Sequence, residues 1–258
     1  MTAFFTLKAG EFVPAPHARG PWSPEMLHGR LLGGLAARAA ELEHAEPGLR
    51  AARLTVDLFR NAALLPLAVE TVRVRDGRRI RVADVTISSA QGALGRASVV
   101  FLREGEQPPG HVAPTPAWAE PPPEGPAPRM GEFPPFEMWP LTEWTGTGPK
   151  RAWMRELYPL VAEEPLSPLV RAALAADFAS PLANSGSAGL HFINADYTLT
   201  LSRTPSTPEL GLESSGHLSA DGIATGHCTL HDLHGPVGYC LVTAVANPGG
   251  GLMTRPPS

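Results

Sequence analysis

The stretch LTVDLFR at residues 54–60 gives the first indication of the fold, because its pattern occurs a second time as YTLTLSR at residues 197–203. In both stretches apolar residues alternate with polar ones and an arginine ends the run, which is typical of a half-buried β-strand. Arg203 follows Arg60 by 143 residues. The same distance separates two further pairs of landmarks: Glu70 and Glu213, and Gly92 and Gly235. This single spacing predicts two copies of one supersecondary unit, with any site where the copies face each other.

The order of elements around each stretch is also the same. Apolar residues at helical spacing run from Leu31 to Leu42, and a second helix is expected after Ser167-Pro168, with the serine as cap and the proline in the first turn. Four β-rich stretches follow each helix: 50–60, 67–75, 78–89 and 95–103, then 190–202, 208–217, 223–231 and 237–246. One helix followed by antiparallel strands, twice, predicts an α+β protein in which a curved sheet wraps each helix.

Two adjacent glycines, Gly33 and Gly34, lie inside the first predicted helix. Each costs about 1 kcal/mol of helix stability relative to alanine. Their presence predicts that another backbone passes close to the helix at this point, as when a helix lies tightly across a sheet.

The division into domains follows from a change in composition. Residues 107–149 are rich in Pro, Glu, Gly and Thr, which predicts a semi-rigid extended connector rather than a folded element. We therefore expect an N-terminal unit at 1–104, a proline-rich linker at 105–149, a C-terminal unit at 150–247 and a loose tail at 248–258.

Composition excludes several classes of function. A chain of 258 residues with 43% hydrophobic and 18% charged residues is ordinary for a globular protein, and a net charge of −4 gives no electrostatic footprint for nucleic acid. No run of 18 apolar residues predicts a membrane span, and the N-terminus lacks a signal-peptide pattern. With only two cysteines, a reducing, cytoplasmic setting is the default expectation.

No metal or cofactor is expected. The cluster of His227, Cys228, His231 and His234 resembles a ligand set, but His227 and His231 would lie four residues apart on one strand. That spacing is roughly 13 Å, too far to share one zinc ion. Glycine-rich nucleotide motifs and the Gly-x-Ser-x-Gly nucleophile elbow are absent from the sequence.

Four segments together resemble the acyl-CoA thioesterase II type of double hotdog protein, and more narrowly its actinobacterial thioesterase-like branch. They are GPWSPEMLHGRLLGGLAARAAE, WMRELYPL, FINADYTLTLSRTP and GHCTLHDLHGPVGYCLVTAV. The resemblance covers the chain except for the proline-rich linker and the tail. It implies two hotdog units, each a helix wrapped by an antiparallel sheet, with a thioester bound at their seam. It further implies hydrolysis by an aspartate, a hydroxyl residue and a glutamine that hold a water, without a metal or a covalent intermediate.

The same resemblance implies the catalytic residues. Asp196 stands at the position of the family aspartate, and a carboxylate can orient water and take its proton. Spacing alone also allows a plain half-solvated strand, because Asn194, Asp196, Thr198 and Thr200 would share one face. Ser215 matches the hydroxyl position, or Ser214 if the register slips by one, although Ser-Ser-Gly is also an ordinary turn sequence. No glutamine stands near Val242 or Thr243, so Thr243 would supply a hydroxyl instead.

Substrate-binding residues are implied at the start of the first helix. His28 and Gly29 resemble the family His-Gly-Gly loop, with Arg30 in place of the second glycine. Amides at a helix N-terminus can act as an oxyanion hole, so the Gly29 amide is favoured over the His28 ring; a turn glycine with a capping histidine is the alternative. Aromatic residues are candidates to line an acyl tunnel or simply to fill the core: Trp22, Phe59, Phe101, Phe192 and Tyr197.

The sequence thus predicts hydrolysis of an acyl-CoA or acyl-carrier (acyl-pantetheine) thioester to a free acid and a thiol. The alternative is a non-catalytic acyl-CoA-binding or scaffold protein on the same fold, which the missing glutamine motivates. A hotdog hydratase is disfavoured because no aspartate is followed five residues later by histidine. A homo-oligomer is expected by analogy alone.

Overall fold

The observed elements follow the predicted order of one helical segment and four strands, twice. The computed structural model describes residues 2–118, 120–128, 135–146, 148–247 and 251–252. The helices are α1 (Arg30–His44), α2 (Pro168–Ala176) and α3 (Ala179–Asn184). The strands are β1 (Phe5–Lys8), β2 (Glu11–Pro14), β3 (Leu49–Leu58), β4 (Leu67–Asp76), β5 (Ile80–Ser89), β6 (Gly92–Arg103), β7 (Phe136–Pro140), β8 (Arg151–Glu156), β9 (Ser185–Gly186), β10 (Gly189–Leu190), β11 (Phe192–Leu201), β12 (Leu210–Ala220), β13 (Ile223–Asp232) and β14 (Gly235–Ala246).

A single twelve-stranded sheet joins the two halves. Its order is β1-β2-β4-β5-β6-β3-β11-β14-β13-β12-β8-β7, so β3 and β11 form the seam. Thr55 lies directly opposite Thr198 across this seam, and their hydroxyl oxygens are 3.0 Å apart. Because these residues are 143 positions apart, an approximate twofold axis passes between them.

The strand register repeats with the same offset. Thr55 pairs with Ser98 in the first half, and Thr198 pairs with Leu241 in the second. Each partner lies 143 residues after its counterpart. The predicted duplication is therefore confirmed residue by residue, and with it the α+β double hotdog fold.

The helices pack against each other through the paired glycines. A Cβ atom built on Gly33 would lie 1.7 Å from the Tyr197 hydroxyl oxygen, and one built on Gly34 would lie 2.7 Å from a Leu174 methyl carbon. The close approach expected here is real, but side chains from β11 and α2 occupy the space, where another backbone was expected.

Tyr197 is a core residue. Its side chain is fully buried, and its hydroxyl donates a hydrogen bond to the Ala173 carbonyl oxygen at 3.0 Å. The expectation that Tyr197 lines a substrate tunnel was therefore wrong. It faces the helix side of β11, where it holds α1 and α2 at a fixed distance.

The second-half helix starts as predicted and then breaks. The Ser167 hydroxyl oxygen accepts a hydrogen bond from the Val170 amide at 3.1 Å, and Pro168 occupies the first turn. The helix ends at Asp177, and α3 resumes two residues later. Where the first half has one long helix, the second half therefore has two short ones.

Part of the proline-rich linker lies on the outer face of the sheet, the face away from the helices. Trp118 stacks on Trp153 with ring centroids 5.0 Å apart, and the Trp153 indole donates to the Glu120 carbonyl oxygen at 2.7 Å. Strand β7, which pairs with β8, also falls in the stretch expected to contain no folded element. Tryptophans placed among the prolines supply apolar area that a free spacer lacks. The tail expected at 248–258 lies outside the described residues except for 251–252, where Leu252 bridges to Leu190.

Candidate functional site

A β-bulge near the start of β11 sets the geometry of the site. Asn194 pairs with Ala244 and Asp196 pairs with Thr243, so Ala195 is an extra residue on β11. The bulge shifts the alternation of faces. Asn194 turns toward the helices, where its amide donates to a carboxylate oxygen of Asp177 at 2.8 Å. The expectation that Asn194 and Asp196 share one face was therefore wrong, because alternation alone does not reveal an inserted residue.

Asp196 faces the outer side of the sheet and is held by its neighbour on β14. One carboxylate oxygen accepts the Thr243 amide at 3.0 Å, and the other accepts the Thr243 hydroxyl at 2.5 Å. Asp196 is half-buried. A carboxylate has about four acceptor positions, so these two bonds fix its orientation and leave room for a water.

A second carboxylate lies directly across the seam from Asp196. Asp57 on β3 is its cross-strand partner, and an ion pair of 2.5 Å joins Asp57 to Arg96 on β6. Like charges placed directly opposite each other are destabilising. Arg96 offsets the charge of Asp57, and the Thr243 donors stabilise that of Asp196.

A cleft opens beside this pair, where the seam ends. The ladder between β3 and β11 covers residues 196–200 of β11, so residues 192–195 extend beyond it. A cavity of about 250 Å³ lies at this point. Both halves contribute to its wall, which includes Trp22, His28, Gly29, Arg60, Asp177, Asn194 and Ala195. The seam location predicted for a site therefore coincides with a cavity.

The N-terminus of α1 opens on the cleft. Gly29 is the residue before the helix and already has helical dihedral angles, and it lines the cavity together with His28. Burial, and after it the charge of Arg30, lowers the pKa of His28 to about 3. His28 is therefore neutral near pH 7. The Arg30 side chain is buried and forms an ion pair of 2.5 Å with Glu156, with its guanidinium over the Phe136 ring.

Asp177 is a cleft residue that the sequence reasoning missed. It stands at the break between α2 and α3, is 7% exposed and lines the cavity. Burial raises the pKa of Asp177 more than the hydrogen bond from Asn194 and the charge of Arg30 lower it. One signal was present: an acidic residue ends the helical run LVRAALAAD, which is apolar apart from Arg171, and there it opposes the helix dipole.

Ser215 lies too far from Asp196 to share a site with it. Two strands, β13 and β14, lie between β12 and β11. At about 4.8 Å per strand this separation is roughly 14 Å, too far for one shared water. The Ser215 hydroxyl instead lies 2.5 Å from a ring nitrogen of His227. Ser214, the alternative, is buried and accepts the Lys150 amide at 2.9 Å.

The five aromatic residues that were candidates for an acyl tunnel do not lie together in the structure. Trp22 lines the cleft. Phe59 is 52% exposed and Phe101 is buried in the core, so neither forms a tunnel wall at the cleft. Phe192 lies beside the His217 ring at 5.8 Å, at a separate surface depression. Of the five aromatic candidates, only Trp22 lines this cavity.

The approximate twofold axis relates the cleft to an equivalent position at the opposite end of the seam. A cavity of about 230 Å³ lies there, lined by residues that include Arg50, Leu201 and Thr204. The counterparts of Asp196 and Thr243 are Arg53 and Val100, which pair in the same way. The carboxylate with its hydroxyl partner therefore occurs at one end only.

The two arginines that end the repeated strands also differ. Arg203 donates two bonds of 2.6 Å to the buried carboxylate of Asp232. Its counterpart Arg60 is exposed, lines the cleft and donates to the Gln91 carbonyl oxygen. Arg60 thus keeps donors available at the mouth of the cleft.

Within the described ranges, no three His, Cys, Asp or Glu side chains are arranged to hold a metal ion. No helix in this part of the chain is long and apolar enough to cross a membrane.

Comparison with known families matches both halves. Residues 18–102 match the acyl-CoA thioesterase N-terminal domain, and residues 106–245 match the acyl-CoA thioesterase C-terminal domain. No curated protein sequence matches the chain significantly.

Solved structures share the fold at low identity. A TesB protein of Mycobacterium avium subsp. paratuberculosis is 18% identical, with a TM-score of 0.68 over 92% of this chain and 93% of that one. The acyl-CoA thioesterase II TesB2 of Mycobacterium marinum is 16% identical, with a TM-score of 0.65 over 98% and 96%. A hotdog protein of unknown function from Alicyclobacillus acidocaldarius is 17% identical, with a TM-score of 0.70 over 98% and 96%.

Proposed function

The chain belongs to the acyl-CoA thioesterase family, and on that premise we propose that it hydrolyses an acyl-CoA or acyl-pantetheine thioester in the seam cleft. The products are a free acid and a thiol. The observation that carries this proposal is the Asp196 carboxylate, which two Thr243 donors hold. Asp196 follows Ala195, a residue that lines the cavity built by both halves.

Asp196 acts as the general base. It orients a water and takes one of its protons as the oxygen attacks the thioester carbonyl carbon. The Thr243 amide and hydroxyl fix the direction of the carboxylate lone pairs, so the water is held in line for attack. Thr243 thereby takes the positioning part of the family glutamine with a different chemical group.

The start of α1 polarises the carbonyl. The first amides of a helix carry partial positive charge, and Gly29, at the start of α1, lines the cleft. Negative charge grows on the carbonyl oxygen as water attacks, and preorganised amide donors stabilise that charge. A neutral His28 adds a further polar group to this wall without a competing charge.

Arg60 contacts the phosphate groups of CoA or of the carrier-bound pantetheine. An exposed guanidinium at the cleft mouth suits the phosphates of CoA or of a carrier-bound pantetheine, because its planar donors match phosphate oxygens. The acyl chain then extends inward past Trp22.

Thiol release from a panel of short, medium and aromatic acyl-CoAs tests the proposal. We expect release by the wild-type chain and a loss of about 10³-fold in Asp196→Asn, which keeps the shape but cannot take a proton. Asp84→Asn makes the same change on an exposed strand position and serves as the matched control. No release by the wild type, or equal rates in Asp196→Asn and wild type, contradicts hydrolysis at this site.

Thr243 also supports a second candidate, a non-catalytic acyl-CoA-binding protein. A threonine opposite Asp196 cannot present the paired amide donor and acceptor of a glutamine. This candidate predicts that CoA esters raise the melting temperature without thiol release. Turnover in the panel excludes it.

A further inference from the structure

A chain of three hydrogen-bonded side chains lies away from the seam, near the end of β12. The Ser219 hydroxyl oxygen is 3.0 Å from Nε2 of His217, and Nδ1 of the same ring is 2.8 Å from Oδ1 of Asn184. Ser219 and His217 are two residues apart on one strand, so their side chains point to the same face of the sheet. Asn184, the last residue of α3, reaches them from the helix layer.

The hydrogen bonds around Asn184 fix the direction of this chain. Its amide nitrogen donates to the Ser180 hydroxyl oxygen at 3.4 Å, so its carbonyl oxygen faces His217 and accepts the proton of Nδ1. In a neutral imidazole the other nitrogen then carries no proton, and it accepts the Ser219 hydroxyl. The order is that of a nucleophile, its base and a group that orients the base.

The inner end of the chain is buried and its outer end is open. Asn184 is 5% exposed, whereas His217 and Ser219 are exposed. Gly226 lies opposite His217 on β13, and a Cβ atom built on it would lie 3.1 Å from Oδ1 of Asn184 and 2.5 Å from the Cβ atom of Ala183. The glycine therefore leaves the room that the asparagine needs, and the serine hydroxyl stays accessible from solvent.

A cavity of about 310 Å³ adjoins the chain, with Asn184 and His217 in its wall. The wall also includes Gly186, Ser187 and Phe192, and none of its described residues is Asp, Glu, Lys or Arg. Small and aromatic residues suit a short, uncharged acyl group. The same wall offers no cation to bind the phosphates of CoA, so its ligands differ in class from those of the seam cleft.

We propose that Ser219 is the nucleophile of a second reactive site, separate from the seam cleft, that cleaves short, uncharged oxygen esters. Oγ of Ser219 bonds to the ester carbonyl carbon while its proton passes to Nε2 of His217, which gives a tetrahedral oxyanion. The carbon–oxygen bond to the alcohol then breaks, and the alcohol takes the proton from His217. Water cleaves the acyl-serine by the same two steps, releasing the acid and restoring the serine hydroxyl. Asn184 is the positioning residue that holds the ring.

The first test is labelling with a fluorophosphonate, which forms a phosphorus–oxygen bond with an activated serine and releases fluoride. We expect the wild-type chain to be labelled at Ser219, as located by mass spectrometry of its peptides, and His217→Gln to slow labelling about 100-fold. Both positions are exposed, so the fold does not depend on them. No label on Ser219, or equal rates in wild type and His217→Gln, overturns the proposal.

Ser215 is the internal control. Its hydroxyl also lies against a histidine, His227, but no described side chain bonds to the other nitrogen of that ring. Labelling of Ser215 as fast as Ser219 overturns the proposal, because the orienting residue would then contribute nothing. Asn184→Leu has a similar volume but no acceptor and is expected to slow labelling about 10-fold, whereas Asn184→Asp restores an acceptor and is expected to retain it. Equal rates in these two variants contradict the positioning role.

The second test measures turnover with 4-nitrophenyl acetate. The Asp196→Asn chain is used throughout, since it lacks the base proposed for the seam cleft. Adding Ser219→Ala to it is expected to lower release of 4-nitrophenol above the buffer rate by at least about 10-fold. Equal release from the two chains overturns the ester reaction, and neither result depends on whether the seam cleft hydrolyses thioesters.

Discussion

The two ends of the seam share one backbone and differ in chemistry. At one end Asp196 pairs with Thr243 beside a cleft, and at the other end Arg53 pairs with Val100 beside a cavity of similar size. The register is identical, so the backbone alone does not distinguish the two ends. Because Asp196 in one copy corresponds to Arg53 in the other, only one end has a carboxylate that can accept a proton.

Replacing the Asp196 carboxylate should change the reaction rate more than any other substitution. Asp196→Asn is expected to lower the rate of thiol release about 10³-fold, because the amide cannot accept the water proton. Arg53→Met, at the counterpart position, is expected to leave the rate within about 2-fold. Steady-state kinetics on both variants measures the difference, and equal losses contradict the assignment of the reaction to one end.

The two halves also differ in their cores. Tyr197 in the second half corresponds to Leu54 in the first. Gly33→Ala is expected to lower the free energy of unfolding by about 3 kcal/mol, because the new methyl group meets the Tyr197 hydroxyl. Tyr197→Phe in the same chain should recover part of this loss. Chemical denaturation measures both, and an unchanged midpoint for Gly33→Ala excludes the tight packing described here.

Arg203 binds the carboxylate of Asp232, and the stability that this ion pair contributes is expected to depend on pH. Burial alone would raise the pKa of Asp232, but hydrogen bonds from Arg203, Ser206 and His234 outweigh it and hold that pKa well below its usual value. The folded pKa is lowered, so this stabilisation is present above the unfolded pKa of about 3.9 and is lost as pH falls.

Asp232→Asn is therefore expected to cost about 3 kcal/mol of stability at pH 7 and much less near pH 2. Ser89→Ala, at the counterpart position, should cost under about 0.5 kcal/mol at either pH. Denaturation curves at the two pH values measure this. A loss that does not depend on pH rules out the charge of Asp232 as its source.

The Thr243 hydroxyl has no equivalent at the opposite end of the seam, where Val100 occupies the counterpart position. Thr243→Val removes the hydroxyl and keeps the shape, and copies the Val100 of the opposite end; we expect about a 10-fold loss in kcat with little change in KM. Thr243→Gln restores the family amide and should retain or raise kcat. A rate for Thr243→Val equal to that of wild type contradicts the positioning role.

Arg60 gives the smallest effect. Arg60→Ala is expected to raise the KM for acyl-CoA about 5-fold at low salt and less at high salt, because exposed charges are screened. The same variant should leave the KM for an acyl-pantetheine without phosphates unchanged. An equal rise for both substrates would show that Arg60 does not contact phosphate.

The repeat could be predicted from sequence because it rests on spacing and alternation, which residues 54–60 and 197–203 carry in full. The inserted Ala195 could not, since one extra residue in a strand leaves no trace in composition. Tyr197 and Ser215 had the right residue types for a site, but tertiary packing and strand order decided their places. The roles of Asp196, Thr243 and Gly29 stay predictions until the variants are measured.

Thr55 and Thr198, which meet on the twofold axis, are each other's duplicates; every other pair in the described ladder between β3 and β11 occurs twice with different residues. In a dimer of identical subunits, one mutation would alter both ends of such a seam together. In this single chain a mutation away from the axis alters one end only. The end lined by Asn194 and Ala195 can therefore change in sequence while the end lined by Arg50 and Thr204 stays the same.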